Sequence, residues 1–263
     1  MHQSGFVALI GRPNVGKSTL INALVGEKVA ITTDRPQTTR NQIRGVLTRP
    51  DFQIIFIDTP GLHKPKHRLG DTMIQVARSA MQEVDLICFL VEASEPPGLG
   101  DRYIADILQT VNSPRFLVLN KVDLVEKDKL ALRTETYGKL ADFQAVFQLS
   151  ALRQQSFESF IEAIRDRMPE GPQFYPPDMI TDQPERFVAS EIIREKIILL
   201  THQEIPFSIA VVIEEMRSRE DSEILDIRAE IYVERNSQVG IIVGRGGSLL
   251  KKAGTSARLE MEA

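Results

Sequence analysis

The segment from Gly11 to Ser18 has two glycines, a lysine and a serine at the spacing of a phosphate-holding loop, G-x-x-x-x-G-K-S. Glycine lets the backbone fold tightly so that N–H groups point inward, and a following helix N-terminus adds partial positive charge. Lys17 would then reach the β and γ phosphates of a nucleotide, and the Ser18 hydroxyl would ligate Mg²⁺. A glycine-rich turn before a helix has the same local pattern, so other motifs are needed to distinguish a phosphate site from a plain turn.

Two later motifs could complete a nucleotide site. Asp58-Thr59-Pro60-Gly61 would place a carboxylate near Mg²⁺ and the Gly61 N–H near the γ phosphate, although a simple turn would also read this way. Asn120-Lys121-Val122-Asp123 supplies a carboxylate that can accept the N1–H and amino group of guanine, whereas N1 of adenine has no proton. Sites built on such bonds reject the wrong partner by up to ~10⁴ to 10⁵. The predicted base is therefore guanine.

Two further segments carry weaker signals. Ser150-Ala151-Leu152 follows the last predicted strand and would close the base pocket with backbone N–H groups, but an ordinary strand end looks the same. Residues 34–40 are polar and lack periodicity. A threonine there could close over Mg²⁺ when the γ phosphate is present and release it after hydrolysis, giving a two-state switch. A plain surface loop is the alternative.

The elements that must position these motifs form an alternating pattern. From residue 6 to about 168, short apolar runs alternate with segments of helical period, typical of a mostly parallel sheet with crossover helices. The expected strands are 6–10, 53–57, 86–91, 116–119 and 145–149, with 42–48 as an antiparallel edge strand. Because ligands bind beyond the carboxyl ends of such strands, this fold class suits the motifs.

Proline and glycine between Met168 and Pro177 predict a domain boundary. We expect a first domain over 1–170, a linker over 171–183 and a second domain over 184–263. In the second domain the pattern predicts a helix over 184–200, strands over 208–214 and 224–234, and a helix from Ser248. The loop Gly244-Arg245-Gly246-Gly247 should lie between a strand and that last helix.

Composition excludes several classes of protein. The formal net charge of −4 argues against indiscriminate binding of polyanions, yet residues 235–258 contain five basic residues and no acidic one. The single cysteine, Cys88, lies in an apolar run and should pack as a small hydrophobic residue, which suits a reducing compartment. With neither a signal peptide nor a membrane-spanning segment in the sequence, we expect a cytoplasmic protein.

The motifs in this order, together with Pro36-Gln37-Thr38-Thr39-Arg40, His63 after Asp58-Thr59-Pro60-Gly61-Leu62, and Phe187-Val188-Ala189-Ser190-Glu191, resemble the bacterial Era family of GTPases. The resemblance covers nearly the whole chain. It implies an α/β fold: a phosphate-loop GTPase domain with a mostly parallel, Ras-like sheet, followed by a smaller α+β KH-like domain that binds RNA.

The resemblance also implies roles for residues. Thr39 is the expected Mg²⁺ ligand, with Thr38 as second choice, beside Ser18 and Asp58. Lys17, Thr39 and Gly61 are the expected catalytic residues. Leu62 stands where Ras-like proteins have a water-orienting glutamine, so hydrolysis should be slow or assisted. Asn14 resembles an asparagine that ligates K⁺ in related GTPases, although it could be a turn residue without a metal.

The complete expected site is large. Residues expected to contact the nucleotide are Gly11, Asn14, Val15, Gly16, Lys17, Ser18, Thr19, Asp58, Gly61, Asn120, Lys121, Asp123, Ser150 and Ala151. Residues expected to contact RNA are Gly244, Arg245, Gly246, Gly247, Lys251 and Lys252. The GxxG loop suits RNA because small residues allow close approach of the backbone and the cations neutralise phosphate.

The implied function is that of a GTP-binding and GTP-hydrolysing switch that binds small-subunit ribosomal RNA near its 3′ end and assists maturation of the small ribosomal subunit. Mg²⁺ and K⁺ are the implied cofactors, and we expect a monomer with peripheral contact to the inner membrane face. Family members continue past the last helix, so we expect an incomplete KH domain, and Gln238-Val239-Gly240 lacks the family's lysine. A regulatory GTPase whose second domain binds protein or membrane remains an alternative, and the NKxD motif argues against an ATPase.

Overall fold

The computed structural model describes residues 2–33, 35, 38–62, 68–202, 205–220, 222 and 224–262. Of the motif residues quoted above, Pro36, Gln37 and His63 lie outside this part of the chain, as does Asp34. The chain forms two compact units: Met1–Ala30 with Pro36–Asp182, and Ile31–Arg35 with Gln183–Ala263.

The first unit is built on a six-stranded sheet in the order β2-β3-β1-β4-β5-β6. Its strands are β1 (Gln3–Gly11), β2 (Ile43–Arg49), β3 (Phe52–Asp58), β4 (Leu86–Glu92), β5 (Arg115–Asn120) and β6 (Ala145–Gln148). The edge strand β2 pairs antiparallel with β3, and the remaining pairs are parallel. The predicted mostly parallel sheet with an antiparallel edge is confirmed.

The helices of this unit connect the strands. They are α1 (Lys17–Val25), α2 (Arg68–Gln82), α3 (Leu99–Leu108), α4 (Lys127–Gly138) and α5 (Phe157–Arg165). Helix α1 ends at Gly26, whose φ of 88° is left-handed and favours glycine.

Helices cover both faces of the sheet, which explains the continuous apolar runs of the central strands. Nearly every residue of β1 and β4 is buried, including Phe89 and Cys88 of β4. Cys88 therefore packs as the small hydrophobic residue that the sequence predicts. Burial also raises the pKa of its thiol, which keeps it in the uncharged form.

The segment treated above as a linker, 171–183, belongs to the first unit as far as Asp182. The backbone N–H groups of Phe174 and Tyr175 donate to Oε1 of the fully buried Gln53 at 2.8 and 3.0 Å. The Val46 N–H donates to the Ile180 carbonyl at 2.8 Å. Because a buried amide requires partners, Gln53 fixes this stretch of chain against the first unit.

The second unit contains α6 (Glu185–Leu200), the antiparallel strands β7 (Ile209–Ser218) and β8 (Leu225–Val233), and the helices α7 (Asn236–Val243) and α8 (Ser248–Met261). Its core is formed by Ile197, Ile198, Ile205, Ile209, Ile242 and Ala253.

Helix α7 corrects the sequence analysis, which expects a strand directly before Gly244. The β-branched run Ile241-Ile242-Val243 favours a strand by propensity alone. Two local features favour the helix. Oε1 of Gln238 accepts the Arg235 N–H at 3.1 Å at the N-terminus, and Gly244 ends the helix with φ 72°. Ile242 is thereby buried in the core of the unit.

Within the described residues, no helix is both long and apolar enough to cross a membrane.

We expect Phe89→Ala to lower the free energy of unfolding by about 3–5 kcal/mol, because it leaves a cavity at β4, inside the hydrophobic core of the first unit. Urea unfolding followed by circular dichroism measures this change. Leu132→Ala, at an α4 position that is 57% exposed, is the control and should change stability by no more than about 0.5 kcal/mol. Similar losses in the two variants would contradict this account of the core.

Candidate nucleotide-binding site

The predicted motifs meet at one edge of the sheet, where the parallel strands end. The register places Leu9 of β1 opposite Asp58 of β3, and Glu92 of β4 opposite Asn120 of β5. Ser150 follows shortly after β6. The chain therefore brings the phosphate, metal and base motifs to the carboxyl ends of adjacent strands, where open α/β sheets bind ligands.

The loop from Gly11 to Ser18 turns through two residues with positive φ. Gly16 has φ 97°, a conformation that favours glycine, and a Cβ there would lie 2.3 Å from Nδ2 of Asn120. Both the backbone conformation and the lack of space therefore require glycine at this position. Asn14 is also left-handed, with φ 66°. Nζ of Lys17 donates to the carbonyls of Gly11 and Arg12 at 3.4 and 3.1 Å, which holds the ammonium group over the loop.

Three oxygen-bearing side chains from separate elements converge beside this loop. Oγ of Ser18 donates to Oδ2 of Asp58 at 2.6 Å, and Oγ1 of Thr39 donates to the same atom at 3.1 Å. The two hydroxyl oxygens are 3.0 Å apart. Of the two candidate threonines, Thr39 is thus the one whose hydroxyl contacts Ser18 and Asp58.

This set of side chains fits Mg²⁺, which prefers oxygen ligands. Asp58 is fully buried, and within the described part of the chain its Oδ1 has no hydrogen-bond partner. A buried carboxylate oxygen normally has a hydrogen-bond partner. The position of Asp58 Oδ1 beside two hydroxyl groups is therefore suitable for a bound cation or for a water molecule bound to that cation.

Burial acts on both charges of the site. It lowers the pKa of the Lys17 ammonium, and the attraction of Asp58 only partly opposes this effect. It raises the pKa of Asp58, against the attraction of Lys17 and the hydrogen bonds from Ser18 and Thr39. Each charged form is penalised by lost hydration. An anion beside Lys17 and a cation beside Asp58 would stabilise both charged forms.

Gly61 and Leu62 lie on the other side of the phosphate loop. A Cβ on Gly61 would be 2.6 Å from the backbone nitrogen of Pro13, so glycine permits close contact between the two loops. The Leu62 N–H donates to the Gly11 carbonyl at 3.0 Å, and its side chain is fully buried in the hydrophobic core. Leu62 is therefore both apolar and directed away from solvent, and it cannot orient a water molecule.

The base motifs are joined by the buried side chain of Asn120. Its Nδ2 donates to the Val15 carbonyl at 2.8 Å, and its Oδ1 accepts the Ala151 N–H at 2.9 Å. One amide thus fixes the phosphate loop to the segment after β6. Asp123, whose side chain is 7% exposed, lies in the short 3₁₀ helix that follows Lys121. Thr19, in the first turn of α1, is half-buried.

Two residues of the site were missed by the sequence analysis. Oε2 of Glu92 accepts Nζ of Lys121 at 2.9 Å, and Nε of Arg153 lies 3.4 Å from Oδ2 of Asp123. Glu92 could have been found, because it ends β4 at the same edge as the motif residues. Nothing in the sequence marks Arg153, whose contact depends on how the chain turns after Ser150.

Fold and site together define a phosphate-loop GTPase with a second, KH-type unit. Residues 6–121 match the family described as 50S ribosome-binding GTPase, and residues 204–263 match the KH domain family.

Solved structures extend the match over the whole chain. One is Era in complex with MgGDPNP and nucleotides 1506–1542 of 16S ribosomal RNA, which is 38% identical with a TM-score of 0.96, over 100% of this chain and 89% of that one. Another is a variant of Aquifex aeolicus Era bound to GDP·AlF₄⁻, which is 37% identical with a TM-score of 0.94, over 99% of this chain and 89% of that one. The chain belongs to the Era family of GTPases.

A more distant structure shares the fold over part of the chain. The elongation factor SelB from Methanococcus maripaludis is 19% identical with a TM-score of 0.50, over 62% of this chain and 34% of that one.

We expect Lys17→Ala to weaken GTP and GDP binding by about 100-fold or more, because removing the buried ammonium would leave the phosphates without their expected cationic partner. Titration with a fluorescent guanine nucleotide measures the change. Lys129→Ala removes an exposed lysine of α4 and should leave affinity unaltered. Unchanged affinity of Lys17→Ala would refute the assignment of the loop.

We expect Asp123→Asn to shift the preference from guanine toward xanthine. The substituted amide can donate to the additional carbonyl of xanthine but cannot accept two guanine hydrogen bonds. Competition of GDP and XDP for the same fluorescent nucleotide measures the ratio of affinities. A ratio equal to that of the wild-type protein would show that Asp123 does not read the base.

Proposed function

We propose that this chain is a GTP-hydrolysing switch that binds small-subunit ribosomal RNA near its 3′ end through the KH unit and assists maturation of the small ribosomal subunit. The observation that carries the proposal is the presence of a glycine-containing phosphate-loop motif and a GxxG loop, both with positive-φ backbone, in one chain of the Era family.

Different residues of the first unit bind the phosphates, the metal ion and the base of the nucleotide. The loop 11–18 and Lys17 bind the phosphates, and the Gly61 N–H faces the γ phosphate. Ser18, Thr39 and Asp58 hold Mg²⁺, which supplies charge neutralisation at the β and γ phosphates when bound. Asp123 reads guanine, with Lys121 and the Ser150-Ala151 backbone completing the base pocket. The contact of Thr39 with Asp58 supports its role as the residue that senses the γ phosphate.

Hydrolysis needs assistance from another group, because Leu62 cannot orient water. We assign this role to K⁺ beside the phosphates, with Asn14 as its ligand. The exposed Asn14 has φ 66°, a conformation that asparagine tolerates better than most residues and that suits a position on the rim of the loop.

We expect GTP hydrolysis to be faster in KCl than in NaCl by about tenfold or more, which corresponds to a barrier lowered by at least about 1.4 kcal/mol. Phosphate release at matched ionic strength measures the rates. Asn14→Ala should remove most of the difference while retaining GTP binding. Equal rates of the wild-type protein in the two salts would exclude the assignment of K⁺.

The GxxG loop of the second unit lies between α7 and α8. Gly244, Gly246 and Gly247 have φ of 72°, 60° and 78°, all in the positive range that favours glycine. A Cβ on Gly244 would meet Leu249 at 2.9 Å, whereas a Cβ on Gly246 or Gly247 would meet nothing within 4 Å. Gly244 thus satisfies internal packing, and the other two leave backbone accessible to a ligand.

Positive charge surrounds this loop. Arg245 is exposed, as are Lys251 and Lys252 in the second turn of α8. Within the described residues, none of the three takes part in an ion pair. Exposed cations without acidic partners suit phosphate contacts, and a glycine backbone allows close approach to a single strand. The Era structure in complex with 16S ribosomal RNA nucleotides identifies the RNA to test first.

We expect the double variant Lys251→Ala, Lys252→Ala to bind a short RNA carrying the 3′ end of small-subunit ribosomal RNA about tenfold more weakly than the wild-type protein does. The dependence of log affinity on log salt should flatten by about 1.4, since each single-strand phosphate contact contributes about 0.7. Fluorescence anisotropy across a KCl series, with GTP, with GDP and without nucleotide, measures both quantities.

The matched control removes two cations of the same unit that are paired with acids. Arg217 lies 2.5 Å from Glu215, and Arg219 is bidentate with Asp226. Arg217→Ala, Arg219→Ala should therefore bind RNA almost normally. A wild-type protein that binds GTP but not this RNA would favour the alternative function, in which the second unit binds protein or membrane.

A cytoplasmic location, peripheral contact with the inner membrane face and a monomeric state remain predictions from the family resemblance.

A further inference from the structure

The phosphate loop has an anchor in helix α3 that the site described above does not use. Asp101, in the first turn of α3, is fully buried, and both of its carboxylate oxygens are engaged. Oδ2 accepts the Gly98 N–H at 2.8 Å, and Oδ1 accepts Nε of Arg12 at 2.8 Å. A buried carboxylate needs such partners because it has lost its hydration. The pair ties the start of α3 to the second residue of the phosphate loop.

The Arg12 side chain is packed as well as paired. A Cβ on Gly100 would lie 2.8 Å from Cδ of Arg12, so the aliphatic part of the side chain lies directly against the backbone of α3. NH2 of Arg12 is also 3.7 Å from Oε2 of Glu95, but that carboxylate is 63% exposed. Exposed ion pairs contribute little. Of these two ion pairs, the buried one with Asp101 is therefore the one that holds the Arg12 side chain.

Arg12 also connects this anchor to the phosphate-binding charge. Its backbone carbonyl accepts Nζ of Lys17 at 3.1 Å. The guanidinium held by Asp101 and the carbonyl that holds Lys17 belong to one residue. A change in the backbone at Arg12 would displace the acceptor that directs the ammonium group. Gly61 packs against the next residue, Pro13, so two successive residues of the loop are in contact with other elements.

We propose that Asp101 is a positioning residue for phosphate binding: through its ion pair with Arg12 it fixes the backbone from which the Arg12 carbonyl directs Lys17 toward the β phosphate. This inference rests on the proposed nucleotide site. Asp101 acts by fixing the position of Arg12 rather than by contact with the ligand. Groups that are already held in position lose less conformational entropy on binding than mobile ones.

Asp101→Asn tests the proposal most directly, because an asparagine carbonyl can still accept the Gly98 N–H while the charge that holds Arg12 is lost. Affinities of the full chain for GDP and GMP are measured by competition with a fluorescent guanine nucleotide. We expect GDP binding to weaken about tenfold and GMP binding by less than about twofold, because GMP lacks the phosphate that Lys17 reaches. Asp106→Asn, exposed on the same helix, is the matched control and should alter neither affinity.

A second variant keeps the test informative if Asp101→Asn fails to fold. Arg12→Gln changes a side chain that is 25% exposed and should show the same selective loss for GDP. In the double variant the loss should stay within about twofold of either single variant, because both substitutions break one interaction.

Three results would overturn the proposal: equal losses for GDP and GMP, additive losses in the double variant, or unchanged GDP affinity in both single variants. A wild-type protein that binds ADP as tightly as GDP would instead overturn the guanine specificity on which the proposed function depends. The two failures are therefore distinguishable.

Discussion

The constraint on which the first unit depends is the burial of two opposite charges, Lys17 at the start of α1 and Asp58 at the end of β3. Either charge alone in a low-dielectric interior would be strongly unfavourable. Their attraction compensates only in part, as the lowered pKa of Lys17 and the raised pKa of Asp58 indicate. Two backbone carbonyls and two hydroxyls provide the remaining stabilisation. The surrounding structure must hold these groups in place, and the ligands expected at the site carry the complementary charges.

The strand order of the sheet explains how the charged groups of the site come together. Strand β1 is followed along the chain by β2 and β3 on one side of it, whereas β4 is followed by β5 and β6 on the other side. The connections that follow β1 and β4 therefore diverge and leave a crevice at the strand ends. Asn120 then joins the loop after β1 to the segment after β6, and Glu92 joins the end of β4 to Lys121. The side chains at the strand ends thus fix one another, and the phosphate and base regions become parts of one framework.

The sequence was sufficient for those parts of the structure that depend on local chemistry. Strands that are buried on both faces read as apolar runs, and a glycine-rich loop before a helix permits few conformations, so the sheet and the residues at its edge could be predicted. Contacts between residues far apart in the sequence could not be predicted in this way. Asp101 and Arg153 are ordinary charged residues until the chain places them beside Arg12 and Asp123. Helix α7 was missed because its apolar residues favour a strand, whereas its cap and the burial of Ile242 favour a helix.

The two candidate sites differ in how much of their geometry the protein itself determines. Around the phosphate loop, Gly16 and Gly61 are enclosed by neighbouring atoms, so packing fixes the backbone whether or not a ligand is bound. In the GxxG loop, Gly244 is enclosed but Gly246 and Gly247 face open space. The second loop therefore owes less of its order to internal contacts, and its affinity must come from charge and from close approach of the ligand. The same difference explains why the motifs of the first unit identify a ligand by their chemistry, while the glycines of the second acquire a specific meaning only through membership of the family.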